Sequence, residues 1–244
     1  MTQRATQRLT HAERKEQTKG DLLAAARRAF LERGFHAASL DDIAEAAGYS
    51  KGAVYSNFAG KDELFLAVLD AHFQQRTRVL TELVLKEERL LDAYRKVARS
   101  MTAADEGEPR WTPLLLEFFT HASRHEALRT QVASRRERFL DDIGRLIAAL
   151  GAQHGVDFAM PTREIARGSG ALARGMALER LLDPGSVSAD SFVQMHTALV
   201  SGLTKFPDIR LPRKKGRKHD LHPRSASGIR DGGAPGTRGR ARPA

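Results

Sequence analysis

The sequence predicts an all-α fold of about nine helices. Ala and Leu supply 64 of the 244 residues, whereas Val and Ile supply 16. This ratio favours helix because β-branched side chains lose χ1 freedom there. Apolar residues recur at three- and four-residue spacing along most of the chain, for example at Phe139, Ile143, Ile147 and Leu150. No strand–turn–helix unit is evident in the sequence, so a nucleotide-binding glycine loop would lack its structural context.

Glycine and proline divide this helical stretch into its elements. Gly34, Gly48 and Gly60 end three short elements near the N-terminus, because glycine readily adopts the left-handed conformation that terminates a helix. Further along, turn-forming sequences predict loops at 105–109, 151–161 and 182–185.

The net charge of +10 is concentrated in two tails. Residues 207–244 carry eleven Lys/Arg against three Asp, and residues 1–19 carry five basic against two acidic side chains. The body between them is nearly neutral, with 24 basic and 25 acidic residues. Such tails indicate attraction to polyanions, nucleic acid first and anionic membrane second; a solubilising extension is the other interpretation.

Composition also restricts the compartment and the chemistry. The chain has no cysteine, which excludes disulfides, thiolate zinc sites and a cysteine nucleophile. No apolar run approaches the roughly 20 residues needed to cross a bilayer, and the N-terminus lacks the apolar core of a secretory signal. We therefore expect a cytoplasmic protein without a membrane partner. Residues 1–17 are predicted to be a flexible basic arm, and the Pro/Gly-rich 207–244 a disordered basic tail.

The region 34–65 has the pattern of two short helices joined by a tight turn. Ser39 is a natural N-cap for the first helix, and Gly48 permits its left-handed stop. Ser50 can cap the second helix two residues later. Together with the amphipathic helix that precedes them, these elements predict a helix-turn-helix.

The second of these helices leaves small, polar or hydrogen-bonding residues on its outer faces, as a major-groove surface requires. Gly52 costs about 1 kcal/mol inside a helix, but it lets the backbone approach another molecule closely. Lys61 opens the next helix, whose N-terminal amides can hold a phosphate. The outer-face residues are Lys51, Gly52, Ala53, Tyr55 and Asn57.

The block 22–65 resembles the DNA-binding domain of the tetracycline-repressor (TetR) family. Many positions match at fixed spacing over some forty residues, whereas the segment 66–204 resembles the family only in length and helical content. The matching residues are Phe30, Gly34, Phe35, Ser39, Ile43, Ala44, Ala47, Gly48, Ser50, Lys51, Gly52, Val54, Tyr55, Phe58, Lys61 and Leu64.

The resemblance implies an all-helical homodimer whose two recognition helices enter successive major grooves of a palindromic operator in double-stranded DNA. It implies a three-helix DNA-binding domain, 18–65, and a larger helical domain, 66–206, that forms the dimer and holds an inducer pocket. By position, Ser39, Tyr55 and Lys61 would contact phosphate. Base edges or the adjoining backbone would be met by Lys51, Ala53 and Asn57, with Ser50 and Gly52 completing the predicted DNA-contacting set.

One departure concerns charge, because residues 20–65 carry five basic and seven acidic side chains. The counterion-release attraction to DNA must therefore come largely from the N-terminal cations. These cations are Arg4, Arg8, Arg14, Lys15 and Lys19.

The C-terminal domain offers candidates for an inducer cavity, although apolar residues at helical spacing are more often ordinary core. Arg174, which lies among apolar and small neighbours, would either meet an acidic ligand or form a surface salt bridge. The sequence leaves the inducer unidentified. The remaining cavity candidates are Met101, Trp111, Phe118, Phe119 and Met176.

The last two helices are expected to form the dimer interface. Small residues on one side of the first of them would let two helices approach closely, and the same patch from both chains would meet. The predicted interface residues are Ile165, Gly168, Leu172, Gly175 and Leu182.

Enzymatic and metal-binding alternatives are weak. His121 and His125 have a spacing that suits a metal, but Ala122 stands where an HExxH motif has its glutamate, so solvated or capping histidines are favoured. No Ser/His/Asp set has a nucleophile-elbow context. We therefore expect no metal site, no cofactor and no catalytic residues.

Three functions remain in competition. The first is a ligand-responsive transcriptional regulator, most often a repressor in this family. The second is a ligand-independent, architectural DNA-binding protein that uses its basic C-terminal tail. The third is a small-molecule-binding protein or enzyme with a vestigial N-terminal domain, and the intact reading face at 51–57 weighs against it.

Overall fold

The computed structural model describes residues 10–107 and 110–205, and these ranges contain nine helices and no β-strand. The predicted all-α class is therefore confirmed. No helix in these ranges is both long and apolar enough to cross a bilayer. In chain order the helices are α1 His11–Ala37, α2 Leu40–Ala46, α3 Lys51–Asn57, α4 Lys61–Val84, α5 Leu90–Gly107, α6 Trp111–Ser123, α7 Glu126–Gln153, α8 Thr162–Leu182 and α9 Ala189–Lys205.

Helix α1 begins at His11, within the segment 1–17 that the sequence predicts to be a flexible arm. That prediction is therefore wrong for residues 11–17. The cause is a capping box. The Thr10 hydroxyl accepts from the Glu13 amide at 3.2 Å, and the Glu13 carboxylate accepts from the Thr10 amide at 2.7 Å. These bonds satisfy two amides that a helix start otherwise leaves unpaired. Residues 1–9 lie outside the described part.

The helix-turn-helix forms as its capping residues predict. Gly34, at φ 81°, interrupts α1, and Gly48, at φ 75°, makes the turn that ends α2. The Ser39 hydroxyl accepts from the Asp42 amide at 3.0 Å, and the Ser50 hydroxyl accepts from the Ala53 amide at 3.3 Å. Both serines therefore fix where their helices begin.

We call residues 11–65 the N-terminal subdomain, and its core is apolar throughout. Side chains of α1, α2 and α3 pack against the first turns of α4, and residues of α6 belong to the same core. The most deeply buried members are Leu22, Phe30, Ile43, Val54, Leu64 and Phe65.

We call residues 66–205 the C-terminal subdomain. Its main contacts join α7 to α8 and α5 to α9, while α4 contacts both α5 and α7. Residues 105–107 of one predicted loop instead belong to α5, which continues to Gly107, and residues 108 and 109 lie outside the described part. The other two predicted loops are present, at 154–161 and 183–188.

Candidate nucleic-acid interface and ligand cavity

Helix α3 turns one apolar face inward and leaves the opposite face to solvent. Val54 is fully buried, whereas Lys51, Gly52 and Tyr55 are exposed, with Tyr55 at 52%. Ala53 is half-buried. A Cβ atom at Gly52 would have only the Ser50 hydroxyl, at 3.7 Å, within contact distance. The protein's own packing therefore does not require glycine at this position.

Lys51 forms an ion pair with an acidic residue of α2. Its Nζ atom lies 2.9 Å from the Asp41 carboxylate on α2, and both side chains are exposed. The hydrogen bond and charge of Asp41 raise the pKa of Lys51. The ammonium must leave Asp41, or share it, to contact a nucleic acid.

Asn57 does not face outward as predicted. Its Nδ2 atom donates to the Ala53 carbonyl at 2.8 Å, and its Oδ1 atom is buried and has no hydrogen-bond partner among the described residues. Asn57 is the last residue of α3, and its short side chain folds back on the carbonyl four residues earlier, to which the Ser56 hydroxyl also donates. The expectation that Asn57 reads a base is therefore corrected.

Lys61 contacts the C-terminal end of α1. Its Nζ atom donates to the His36 carbonyl at 2.9 Å and lies 4.8 Å from the centre of the Phe35 ring. Partial burial lowers the pKa of Lys61. An ammonium group has three donors, so this bond leaves donors for the predicted phosphate contact.

A carboxylate on α6 holds the same end of α1. Glu117 accepts from the Phe35 amide at 3.0 Å and from the His36 amide at 2.7 Å. Gly34 makes this approach possible, because a Cβ atom there would lie 2.7 Å from the Glu117 carboxylate. No local sequence pattern predicts a contact across 82 residues, which is why Glu117 was missed.

The two histidines with metal-like spacing have structural partners. His121 Nε2 lies 3.1 Å from the Asp62 carboxylate, and His125 Nδ1 lies 3.0 Å from the His121 carbonyl. Within 10–107 and 110–205 no group of three potential metal ligands comes together.

A cavity of about 530 Å³ lies within the C-terminal subdomain, lined by residues of α4 to α9. Its wall is mainly apolar and includes Phe139, Ile143, Ile147 and Leu150 from α7. This volume and character are typical of small-molecule sites.

The predicted ligand residues divide into two groups. Met101, Trp111 and Arg174 line the cavity, whereas the other three predictions are corrected. Phe118 stacks on Phe65 with ring centres 4.0 Å apart, and Phe119 packs against that core. Met176 packs with Phe192. Helical spacing identifies apolar residues, but it does not tell which of two apolar faces borders a cavity.

Three buried polar residues line the cavity. They are Thr112, Ser169 and His196. Burial lowers the pKa of His196 to about 4. Burial, together with the charges of Arg76 and Arg27, lowers the pKa of His72 to about 3. Both imidazoles are therefore neutral at pH 7.

The predicted dimer residues also divide. Gly168, Gly175 and Leu182 are exposed, but Ile165 is buried in the cavity wall and Leu172 is half-buried against a neighbouring core cluster. Those two assignments are corrected, because α8 stands between cavity and solvent and has apolar residues on both sides. Other exposed apolar side chains on the last two helices are Leu178, Leu181, Met195 and Leu199.

A helix-turn-helix with an outward-facing second helix, joined to a helical subdomain that contains a cavity, is the architecture of a DNA-binding transcriptional regulator. Residues 22–68 match the family model described as bacterial regulatory proteins, tetR family. Residues 91–205 match the model of the BetI-type transcriptional repressor C-terminal domain. The chain belongs to the TetR family, whose members are transcriptional regulators and not enzymes.

Known relatives cover different parts of the chain. The HTH-type transcriptional activator FasR of Mycolicibacterium smegmatis is 48% identical over 58 residues, which are 24% of this chain and 26% of that protein. The HTH-type transcriptional regulator TtgR of Pseudomonas putida is 27% identical over 79% of this chain and 81% of its own length. FadR of Bacillus subtilis, solved in complex with stearoyl-CoA, shares the fold. It has a TM-score of 0.58 at 15% identity over 75% of this chain and 98% of that one.

Proposed function

We propose that this protein is a ligand-responsive repressor. As a homodimer it binds a palindromic operator through its N-terminal subdomain, and it leaves the operator when a small molecule fills the cavity. The domain limits predicted from the sequence, 18–65 for DNA binding and 66–206 for ligand binding and dimerisation, are kept except that the DNA-binding domain includes the whole of α1 and so begins at residue 11.

The observation that carries this proposal is the double role of α6. Trp111, Thr112 and Leu115 on this helix line the cavity, and Glu117 on the same helix accepts two hydrogen bonds from the end of α1. A ligand that displaces α6 changes the support of the N-terminal subdomain, so occupancy and operator affinity become coupled.

The DNA contacts follow from the geometry of α3. Lys51, Gly52, Ala53 and Tyr55 form the surface that enters the major groove. The two helix N-termini capped by Ser39 and Ser50 lie beside this surface and suit phosphate oxygens, as does Lys61 at the start of α4.

The dimer forms through the outer face of α8 and α9. Exposed leucines and a methionine make an apolar patch there, and burying it against the same patch of a second chain gives a closed, two-fold assembly. Two such chains present two α3 helices, which is what a palindrome requires.

The dimer is tested by Gly175→Arg on α8. A Cβ at Gly175 meets nothing within 4 Å, so the arginine fits in the protomer but obstructs a second chain. Sedimentation should show monomers, whereas Gly20→Arg, at an equally open position on α1, should remain dimeric. An unchanged dimer in Gly175→Arg would place the interface elsewhere.

The regulatory function is tested by mapping bound sites across the genome of the source cell, together with transcript levels after deletion of the gene. A few palindromes beside an operon whose transcripts rise on deletion would support a local repressor. Falling transcripts would make the protein an activator, the role that the name of FasR states for that protein. Thousands of loose sites would favour the architectural alternative, which depends on residues 207–244, outside the described part.

A further inference from the structure

We propose that the cavity binds an organic carboxylate with an apolar body, and that Arg174 on α8 holds the carboxylate group. This inference rests on the proposed function, since it names the chemical class of the molecule that fills the sensory cavity.

The charge of the cavity wall is the first step. Two guanidinium groups, Arg76 and Arg174, line the cavity, and no aspartate or glutamate among the described residues does so. His72 and His196 add no charge at pH 7, because burial keeps both imidazoles neutral. Arg174 therefore supplies a positive charge to the wall, and this charge favours an anion over a neutral molecule of the same shape.

Arg174 differs from Arg76 in its partners. Arg76 donates to the Ser100 carbonyl at 3.3 Å. Among the residues whose side chains the structure describes, Arg174 has neither an ion pair nor a hydrogen bond, so the surface salt bridge considered from the sequence is not formed among them. Burial, with a smaller contribution from the like charge of Arg136, lowers the pKa of Arg174 to about 10. The group stays protonated at pH 7, and a desolvated cation of this kind is stabilised by an anion.

Gly170, one helical turn before Arg174, leaves space for the guanidinium along α8. A Cβ atom at Gly170 would stand 3.1 Å from Nη1 of Arg174, closer than side chains normally pack. Glycine is unfavourable inside a helix, and this contact supplies a reason for its presence. The guanidinium lies beside Gly170, and both residues line the cavity.

Three further polar atoms of the wall are buried without a partner. The Tyr94 hydroxyl, Trp111 Nε1 and His196 Nδ1 are buried and have no hydrogen-bond partner in the described part of the chain. A Trp N–H only donates, a Tyr hydroxyl donates readily, and a guanidinium has five donors. A carboxylate, which only accepts, complements this set and can pair with Arg174 through two parallel bonds.

The rest of the ligand is apolar because most of the wall is. Aromatic and aliphatic side chains from α4, α5 and α7 surround the space, among them Phe73, Val97 and Ile143. A small, fully polar anion would leave this surface unfilled, whereas an alkyl or aryl carboxylic acid fills it and gains its burial energy.

The experiment is calorimetric titration of the full chain at pH 7 with decanoate, 1-decanol and decylamine, which share one apolar body. Wild-type protein should bind decanoate about tenfold or more tightly than 1-decanol, the expected effect of one charge-assisted pair, and decylamine least. In Arg174→Met the affinity for decanoate should fall to within about twofold of that for 1-decanol, while 1-decanol binds as before. Arg145→Met, which removes an exposed guanidinium of α7, is the matched control and should keep the preference.

Equal binding of decanoate and 1-decanol to the wild type, or an acid preference that survives in Arg174→Met, would overturn the role of Arg174. Binding of none of the three would overturn the ligand class. These failures leave the proposed function standing if ligands of another class release the operator. Failure of the full chain to bind discrete genomic sites would overturn the proposed function instead.

Discussion

The two subdomains use their interiors differently. The N-terminal subdomain buries only apolar side chains in the described range, and several aromatic rings meet edge to face there, as Phe30 does with Phe65 at 5.1 Å. The C-terminal subdomain places its buried polar residues around a cavity and leaves leucines exposed on its outer helices. A closely packed core fixes the orientation of α3. A cavity leaves space for a ligand, but the side chains around it lose packing contacts.

The largest expected effect comes from comparing a phenylalanine of the N-terminal core with one of the cavity wall. Phe65→Ala removes a fully buried ring that contacts Phe30, Phe35 and Phe118, and should lower the free energy of unfolding by about 3–5 kcal/mol. Phe139→Ala, in the cavity wall, should cost less than half as much, because the ring is only half-buried and borders the cavity. Urea unfolding measures both. Equal losses would show that the wall is packed as tightly as the core. Phe65→Leu serves if the alanine variant does not fold.

The second largest effect is expected from protonation of His196 in the cavity wall. His196 has a pKa of about 4 when folded and an ordinary value near 6.5 when unfolded, so between these values only the unfolded chain takes up the proton. Stability is therefore lost as pH falls from 6.5 towards 4, by about 2 kcal/mol at pH 5. Urea unfolding measures the free energy of unfolding at pH 7 and at pH 5. The loss between these two pH values should be smaller in His196→Gln than in the wild type, by about 2 kcal/mol. An identical pH dependence in both proteins would contradict the neutral buried imidazole.

The contrast between the subdomains also explains what the sequence could predict. Helix caps and turns are local, and so Ser39, Gly48 and Ser50 were sufficient to predict α2, α3 and the turn between them. The capping box at Thr10 is equally local and was overlooked because the surrounding charges suggested a solvated arm.

Contacts between distant helices are not predictable in this way. Trp111 and Phe118 lie two turns apart on α6, are both apolar and belong to the same core cluster, yet only Trp111 also lines the cavity. The packing of α6 against α1 and α7 decides between them, and periodicity contains no information about those partners. The same holds for Ile165 and Leu172 on α8.

The junction between the subdomains should show an intermediate effect. Glu117→Gln removes the charge from an acceptor of two backbone amides and sets an amide N–H against one of them. We expect a loss of about 1 kcal/mol, since the site is partly open to solvent. Glu126→Gln, which alters an exposed i,i+3 pair on α7, is the control and should change stability little. Thermal unfolding of both variants decides whether this carboxylate stabilises the junction.

The smallest expected change in stability comes from Gly52→Ala, and this variant tests directly whether the backbone of α3 contacts DNA. Gly52→Ala on α3 and Gly20→Ala on α1 both add a methyl group to an exposed helical position where no close contact would result. Each should raise the free energy of unfolding by up to about 1 kcal/mol, because alanine is the better helix former.

The two variants should differ in their affinity for DNA. If the α3 backbone approaches the groove closely, Gly52→Ala weakens binding to the mapped operator at least tenfold, while Gly20→Ala leaves it unchanged. Fluorescence anisotropy with a labelled operator measures the difference. Equal operator affinity for the two variants would remove Gly52 from the contact surface and leave its place in α3 without a functional explanation.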